Sequence, residues 1–366
     1  MKDSRIWFLS DTHFGCRSNS VLWHNLIEDY FFNYFIPLAK SKAKPGDILV
    51  HTGDVFDNRQ SISLAAQDLA IRVFEQLTTI FKEIHIIVGN HDIMRKYSTE
   101  ITSVDCLKYI PGINVYKETT LVDFSGVRCL FMPWQTSELM ERETIGKYKD
   151  SGVSYLFCHT ETQNVQTATN SFGDSYGNDV DEFSGFKRVY SGHIHFRQEK
   201  KNITYVGNPY QMTRSDRDNA KGTYILNLKT NDVEFIKNEY SPVFIKLYLT
   251  DLMNMRLCEI SDIIKDNFVD IMIPSSFLKL YEINDFIMYF DGVARSFETK
   301  IYDHVEGVTT EDMDKSIDET AYTGSFNILE ISRTYIDGLN YEPDLKKKLI
   351  SSIAELMHNV VNNTKE

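Results

Sequence analysis

Five apolar segments of this chain end in polar side chains, and this repeated design limits what the chain can fold into more than any other feature. One of them reads IIVGNHD over residues 86–92, where a hydrophobic run breaks at a glycine and an amide, an imidazole and a carboxylate follow. The same design recurs after IWFLS, ILVHTG, SYLFC and RVYSG. The polar residues so placed are Asp11, His13, Asp54, Asn90, His91, His159, His193 and His195. Because ligand sites in α/β proteins lie outside the carboxyl ends of strands, the pattern predicts one shared site.

The spacing of these residues supports a common site. Asp11 and His13, like His193 and His195, are two positions apart, and alternate residues of an extended chain point to the same side. A glycine directly precedes three of the polar tips, where it allows a sharp turn and a close approach of the backbone. Any one of these residues alone would more often be structural than functional, but five ordered strand ends are hard to explain that way.

The donor set indicates the kind of ligand. Carboxylates, an amide and several imidazoles are more donors than a single four-coordinate zinc ion needs. They suit two divalent ions that share a carboxylate and lie about 3.5–4 Å apart. Mixed imidazole and carboxylate ligation favours Mn²⁺ or Fe²⁺ over Mg²⁺, which prefers oxygen. We therefore expect two divalent metal ions, with Mn²⁺ as the first choice and Mg²⁺ or Fe²⁺ as alternatives.

The order of apolar runs predicts the fold class. Short apolar runs alternate with longer amphipathic stretches from Arg5 to about Lys237, and helices are predicted at roughly 19–41 and 62–80. The predicted strands are RIWFLS, ILVHT, IHIIV, VRCLFM, SYLFCH, RVYSG, ITYVG, TYILNL and VEFIK. Alternation of strand and helix followed by a strand-rich stretch predicts an α/β (α+β) sandwich with helices outside.

The chain is long enough for more than one domain, because its 366 residues exceed the roughly 250–300 at which single cores stop growing. We expect the main domain at residues 1–240 and a small α+β domain at 241–302, which reads strand, helix, strand, helix, strand. Residues 303–324 form an acidic, Thr- and Asp-rich linker, whose composition predicts mobility. Residues 325–366 carry two helical patterns, the second with an apolar stripe on one face.

Charge gives two opposed indications about partners. The formal net charge of −13 disfavours nucleic acid, because phosphate contacts usually come from a basic face. Between Lys187 and Lys221, however, eight Lys or Arg stand against three Asp or Glu. This basic segment is either a strip that contacts phosphates or an ordinary solvated surface.

Cysteine usage and hydropathy indicate the compartment. The five cysteines are scattered and form no CxxC pair, which argues against a disulfide framework and a zinc knuckle. No apolar run approaches the about 20 residues of a membrane helix, and MKDSRIWFLSDTH has too short an apolar stretch for a signal peptide. We expect a cytoplasmic protein that does not act at membranes.

The segments DTH, GDVFD, GNHD, CHTE and SGHIH, in this order, resemble the motifs of the calcineurin-like metallophosphoesterases. Within that family, LSDTHFG, VGNHD and GHIHFRQ followed by YVGNPYQMTRSD are most similar to the SbcD branch, the DNA repair nucleases of the MRE-eleven type. VYKETTLVDFSGVRCLFMPW, the terminal helices and the chain length resemble the recombination endonuclease subunits of T-even-like phages. The resemblance is strong over residues 5–225 and implies a two-sheet sandwich flanked by helices, with a small DNA-capping domain.

The resemblance also implies a role for each polar tip. One metal ion would be held by Asp11, His13, Asp54 and His195. The second would be held by Asp54, Asn90, His159 and His193, so that Asp54 bridges the two ions. His91 matches the catalytic histidine of the family, which is not a ligand and which protonates the leaving oxygen or stabilises the transition state.

Four neighbouring residues carry weaker signals. Asp92 is read as orienting His91 or capping the turn rather than as a metal ligand. Asp57 stands where cellular members of the branch often carry a histidine, a departure that bears on exonuclease activity. Glu161 is either a partner of a metal ligand or a plain surface acid, and His51 is read mainly as structural.

The branch resemblance implies a divalent-metal-dependent DNA nuclease that hydrolyses phosphodiester bonds at DNA ends during repair, recombination and replication. It implies a partner as well, an SbcC-type (RAD-fifty-like) coiled-coil ATPase bound through residues 325–366, in an assembly with a nuclease homodimer. A phage-encoded protein of this kind would act in the host cytoplasm. The alternatives are a metal-dependent protein phosphatase, a small-molecule phosphodiesterase of the same superfamily, and a non-catalytic scaffold for the ATPase.

Overall fold

The structure, a computed structural model, describes residues 5–168, 171–172, 177–279, 292–302, 346 and 348. The described residues up to Tyr302 belong to one unit, Met1–Asp303. The predicted linker at 303–324 lies outside the described residues, and so does the predicted helical segment at 325–366, apart from Lys346 and Lys348. The boundary after residue 240 stays a prediction.

Strands account for most of the regular structure. Those of the first part of the chain are β1 (Arg5–Leu9), β2 (Ile48–His51), β3 (Glu83–Ile87), β4 (Ile93–Arg95), β5 (Ser98–Thr102), β6 (Ile113–Tyr116), β7 (Thr120–Phe124) and β8 (Val127–Met132). Those that follow are β9 (Tyr155–His159), β10 (Gln166–Ala168), β11 (Ser171–Phe172), β12 (Arg188–Gly192), β13 (Gln198–Lys200), β14 (Ile203–Tyr205), β15 (Gly222–Asn227), β16 (Val233–Lys237), β17 (Phe244–Tyr248), β18 (Phe268–Pro274) and β19 (Ser296–Tyr302).

Two six-stranded sheets form the centre of the fold, in the orders β16-β15-β1-β2-β3-β6 and β13-β14-β12-β9-β8-β7. Strands β1, β2, β3 and β6 run parallel to one another, and so do β8, β9, β12 and β14. The carboxyl ends of the central strands of each sheet therefore meet at one edge. The predicted α/β (α+β) sandwich is confirmed.

The two sheets pack face to face through alternate residues of their strands. Phe8 of β1 stacks on Tyr190 of β12 with ring centroids 4.2 Å apart, and it meets the ring of Phe157 edge-on at 5.4 Å. Trp7 and Leu9 point to the opposite face, where they join the core beneath the helices. This period of two is what a strand buried on both faces requires.

Helices cover the outer faces. They are α1 (Cys16–Asn19), α2 (Val21–Asp29), α3 (Ile36–Lys42), α4 (Leu64–Thr78), α5 (Glu138–Tyr148), α6 (Leu249–Leu252) and α7 (Leu257–Ile264). A π-helical stretch, Tyr30–Phe35, joins α2 to α3. Short 3₁₀ turns lie at Ser103–Tyr109, Val180–Phe183, Arg214–Asp216 and Ser275–Lys279. Within the part of the chain that the structure describes, each helix is too short or too polar to span a bilayer.

The nine predicted strands and the two predicted helices are all present, the first helix being divided by the π-helical stretch. The sequence reading missed α5, whose segment ELMERETIGKY is mostly polar and buries only Glu141 and Ile145. It also missed the hairpin of β4 and β5 and the short strands β6 and β7. Most side chains of these strands are exposed or only half-buried, so no clear apolar period marks them.

A small three-stranded parallel sheet, in the order β17-β18-β19, follows β16 in the chain. It packs on the main part through Trp23, whose ring stacks on that of Phe268 at 5.3 Å. Asp270, which lies buried in the middle of β18, accepts hydrogen bonds from Arg214 and Arg217. Of the second helix predicted in this small domain, the structure describes only a 3₁₀ turn at Ser275–Lys279, and residues 280–291 lie outside the described residues.

Candidate metal centre

The ends of five strands bring the predicted side chains together. Asp11 and His13 follow β1, and His195 follows β12; their ligand atoms all lie within 4.8 Å of one another. Asp54 follows β2, His159 ends β9 and His193 follows β12; these three form a second group of the same size. His193 and His195 thus fall into different groups, although both follow the same strand.

Asp54 lies between the two groups. Its Oδ2 atom is 3.3 Å from His159 Nε2 and 3.9 Å from His13 Nε2. Its Oδ1 atom accepts a hydrogen bond of 2.7 Å from the backbone N–H of His91. One carboxylate oxygen therefore faces an imidazole of each group while the other is fixed by the loop after β3. This is the position that a bridging carboxylate would need.

Asn90 completes the second group. Its Oδ1 atom lies 2.9 Å from His159 Nε2 and 2.8 Å from His193 Nδ1. His193 directs its other ring nitrogen, Nε2, to Glu161 Oε2 at 3.4 Å. Of the two sequence readings of Glu161, its position favours the partner of a ligand, since a carboxylate on the second nitrogen fixes the orientation of a metal-binding imidazole.

The chemistry of the donor set fits divalent cations. His13 Nε2 and His195 Nε2 are 3.0 Å apart, a separation at which two imidazole lone pairs repel unless a proton or a cation lies between them. Burial lowers the pKa of His13, but Asp57, Asp54 and Asp11 raise it above the ordinary value. Burial, with His13 nearby, lowers the pKa of His195 to about 4. A cation held between these two imidazoles would remove that repulsion.

In the second group, too, the effect of burial on the pKa values opposes that of the neighbouring charges. Burial lowers the pKa of His159, but the charge of Asp54 and its hydrogen bond more than offset this and raise the pKa to about 9. Burial raises the pKa of Asp54, whereas His159 and the other imidazoles hold it well below the ordinary value. A buried carboxylate that must be paired with protonated imidazoles is suited to pair with metal ions instead.

The backbone at the site is left-handed at four of the proposed ligands. The φ angles are 49° at Asp11, 45° at His13, 56° at Asp54 and 78° at His193. Each such angle costs an L-residue about 1–2 kcal/mol, and strain of this kind clusters where ligands are clamped. Asp11 and His13 therefore reach the same site through a left-handed turn beyond β1. The extended chain predicted from their two-residue spacing is not present there.

Asp92 fastens the loops that carry Asp54 and Asn90. Its carboxylate is fully buried, and burial, with the charge of Asp54, raises its pKa. It accepts hydrogen bonds from five donors, the backbone N–H groups of Gly89, Asp54, Val55 and Phe56 and the hydroxyl of Ser103. Asp92 thus closes the turn, as one of the two sequence readings had it. His91 is oriented instead by Asp57, whose main-chain oxygen accepts from its Nδ1 at 2.7 Å.

His51 joins the first two ligand loops from beneath. Its Nε2 atom is 3.1 Å from the hydroxyl of Thr12, and its Nδ1 atom accepts from the N–H of Gly53 at 3.3 Å. Burial lowers the pKa of His51 to about 3, so the imidazole is neutral. His51, which the sequence analysis interpreted mainly as structural, therefore connects Thr12, next to Asp11, with Gly53, next to Asp54.

Residues 4–197 match the family model of the calcineurin-like phosphoesterases. The chain belongs to this family. Its members bind divalent metal ions and hydrolyse phosphoesters, so this phosphoesterase has both the ancestry and the ligand groups for that chemistry.

Two curated relatives are viral. The phosphoesterase is 30% identical over 235 residues to Exonuclease subunit 1 of Enterobacteria phage T4, which covers 64% of this chain and 68% of that protein. It is 23% identical over 220 residues to Putative phosphoesterase 078R of Invertebrate iridescent virus 3, which covers 56% of this chain and 57% of that protein.

Two solved structures show a partial likeness. A phosphopantetheinyl hydrolase from Mycobacterium tuberculosis gives a TM-score of 0.34 at 14% identity, covering 66% of this chain and 99% of that one. A protein of unknown function from Aquifex aeolicus gives 0.27 at 18% identity, covering 43% and 81%. At these TM-scores the likeness carries no argument.

Trp134 is a residue of the phosphoesterase site that the sequence reading missed. It lies just past the end of β8, and its ring centroid is 5.0 Å from that of His193 and 6.0 Å from that of His159. Its backbone N–H donates to Val88 at 2.9 Å. It follows the apolar run VRCLFM and a proline, a position like that of the five polar tips, but a search for polar donors does not select a tryptophan.

The basic segment between Lys187 and Lys221 is not a free strip of charge. Four of its eight cations pair with carboxylates: Lys201, Arg214, Arg217 and Lys221. Two more donate to main-chain oxygens: Arg197 and Lys200. Most of these cations therefore have partners within the chain, and they give the phosphoesterase less of a phosphate-binding face than the sequence indicates.

Proposed function

We propose that this phosphoesterase is a divalent-metal-dependent DNA nuclease that hydrolyses phosphodiester bonds at DNA ends. Family membership supports the reaction class. The relative from phage T4, which is named as an exonuclease subunit, supports the substrate class. The proposal does not rest on the basic segment, because most of its cations have intramolecular partners.

The proposed site has two metal ions. The first ion would be held by Asp11, His13, Asp54 and His195, and the second by Asp54, Asn90, His159 and His193. Mn²⁺ is the proposed ion, with Mg²⁺ or Fe²⁺ as alternatives, since imidazole ligands suit it. When bound, two such ions activate a water molecule and neutralise the charge on phosphate oxygens.

The observation that carries the proposal is the orientation of His91. Its Nδ1 atom is 2.7 Å from the main-chain oxygen of Asp57, and because a carbonyl can only accept, this nitrogen carries a hydrogen. The opposite nitrogen, Nε2, is left to exchange a proton with a substrate. The imidazole of His91 lies 5.0 Å from that of His13, centroid to centroid. With a second hydrogen on Nε2, the imidazolium of His91 would supply the proton that departure of a sugar oxygen requires.

Variants of two residues test this assignment. We expect His91→Ala to abolish Mn²⁺-dependent cleavage of single- and double-stranded DNA while nearly all bound metal remains. Asp54→Ala should lose cleavage and metal together, as measured by elemental analysis after gel filtration. His24→Ala, a histidine on α2 outside the ligand groups, is the matched control and should behave as the wild type. Wild-type cleavage by the His91 variant would show the roles to be misassigned.

The same assay separates the alternative functions. A phosphopeptide and a cyclic nucleotide are offered beside the DNA substrates. Preference for either one would indicate the protein phosphatase or the small-molecule phosphodiesterase. Lack of hydrolysis of any substrate by metal-loaded protein would indicate a scaffold.

We also propose that the chain acts as the nuclease subunit of an SbcCD-type recombination and repair complex in the host cytoplasm. The proposed partners are an SbcC-type coiled-coil ATPase, docked on residues 325–366, and a second copy of the nuclease. The phage T4 relative is named as subunit 1 of an exonuclease, which supports a multi-chain assembly for that protein. Deletion of residues 325–366 should abolish co-purification with the ATPase without lowering cleavage of a short DNA. Retained co-purification would refute the docking site.

A further inference from the structure

Asp57 contacts two imidazoles of the site with two different groups. Its carboxylate Oδ1 lies 3.3 Å from His13 Nδ1. Its main-chain oxygen accepts from His91 Nδ1 at 2.7 Å. The residue follows Asp54 by only three places, so the loop after β2 contacts both a member of the first ligand group and His91.

The carboxylate contact bears on the tautomer of His13. The His13 side chain is only 3% exposed, and its Nδ1 atom makes no well-aligned hydrogen bond within the described residues. Its Nε2 atom faces His195 in the first ligand group. An imidazole that offers Nε2 to a metal ion must carry its hydrogen on Nδ1, where an acceptor fixes the ring. The Asp57 carboxylate is placed to be that acceptor.

The carbonyl contact is independent of the Asp57 side chain. The backbone N–H of Asp57 donates to the carbonyl of Phe14 at 3.1 Å, which ties this part of the loop to the residue after His13. Removal of the carboxylate should therefore leave the main-chain oxygen in place. The two contacts of Asp57 can be separated by experiment for this reason.

We propose that Asp57 is a positioning residue that fixes the tautomers of His13 and His91 at once. Its carboxylate holds the hydrogen on His13 Nδ1 and leaves Nε2 for the first metal ion. Its main-chain oxygen holds the hydrogen on His91 Nδ1 and leaves Nε2 for the substrate. The inference rests on the proposed two-metal nuclease. The alternative is that Asp57 binds a metal ion itself, because the ligand atoms of His13, Asp57 and His91 lie within 4.8 Å of one another and could hold a cation.

Mn²⁺ titration without DNA tests the carboxylate. Free Mn²⁺ is measured by electron paramagnetic resonance for the wild type, Asp57→Asn, Asp57→Ala and the control Asp150→Asn, which alters an exposed acid beyond α5. We expect two Mn²⁺ per wild-type chain, and one of them bound about 10- to 100-fold more weakly by Asp57→Ala. Asp57→Asn keeps an accepting oxygen and should show a smaller loss. Unchanged affinity in Asp57→Ala, or equal loss at both sites, would overturn the proposal.

Nuclear magnetic resonance of ¹⁵N-histidine tests the tautomers. In Mg²⁺-loaded protein, Asp57→Ala should lose the fixed Nδ1–H form of His13 and keep that of His91, with assignments taken from His13→Gln and His91→Ala spectra. A third Mn²⁺ in the wild type that Asp57→Ala lacks would show Asp57 to be a ligand and would overturn the positioning role. Both measurements are made without cleavage. A failed nuclease assay beside these results would therefore remove the proposed function and not the role of Asp57.

Discussion

Replacement of Asp92 by alanine should destabilise the protein more than any other single change at the site. The carboxylate accepts from five donors at 2.9–3.2 Å, all of them on buried atoms or loops. Asp92→Ala removes the acceptor and leaves the donors behind. A buried donor left without a partner costs about 1–3 kcal/mol.

The magnitude follows from this count. Five unpaired donors would cost about 5–15 kcal/mol if each kept its full penalty. The removed carboxylate leaves room for a water molecule, which makes about three hydrogen bonds and recovers part of the loss. We expect the free energy of unfolding to fall by about 4–5 kcal/mol, which is the range of broken buried networks. The melting temperature should fall by on the order of 10 °C.

Thermal and urea unfolding of metal-free protein measure this loss. Asp105→Asn is the matched control, because Asp105 also accepts from a backbone N–H, that of Thr102, and from Lys117, but in a half-exposed position. It should cost about 1 kcal/mol or less. A loss below about 1 kcal/mol for Asp92→Ala would refute the reasoning, since the five hydrogen bonds would then contribute no more than an exposed cap.

Three further predictions concern other parts of the site. Burial raises the pKa of Glu141 from 4.5 to about 7, so between these pH values the folded state holds a proton that the unfolded state has released. The free energy of unfolding should therefore fall by up to about 3 kcal/mol as the pH rises from 4.5 to 7. Urea unfolding at pH 5 and pH 8 should show this fall in the wild type and not in Glu141→Gln. Mn²⁺ should quench the fluorescence of the wild type and not of Trp134→Phe, since only this ring among the three tryptophans contacts ligand imidazoles. Gly53→Ala, whose new Cβ would lie 2.4 Å from His159 Nδ1, should lose Mn²⁺ affinity in the same titration, whereas Gly126→Ala, with a similar φ and open space, should not.

Much of the candidate site could be predicted because its residues stand at strand ends. A strand such as IHIIV can be predicted from its apolar run, and the polar residues that follow mark its end. Parallel pairing then brings the tips together without any knowledge of side-chain geometry. The shared site follows from this logic, whereas the division of its residues into two groups around Asp11 and Asp54 was an implication of the family resemblance.

The remainder could not be predicted because it depends on backbone conformation and long-range contact. Nothing in the letters shows that Asp11 has a φ of 49°, or that Asp92 accepts from a loop more than thirty residues away. Likewise, Arg214 looks like a phosphate ligand in the sequence, and only the fold places Asp270 against it. Charge counted along a chain does not reveal which charges are already neutralised.

The proposed ligands are divided between the two sheets, which has a mechanical consequence. Asp11, Asp54 and Asn90 extend from one sheet, and His159 and His193 from the other. Cations bound from both sides would link the two sheets at the rim that carries these side chains, whereas at the opposite rim the hydroxyl of Tyr155 donates a hydrogen bond to Asn231 of the other sheet. Removal of the metal ions by chelation should then let the two sheets move apart at the rim of the proposed ligands. Metal binding would therefore control the rigidity of the molecule as well as its catalytic turnover.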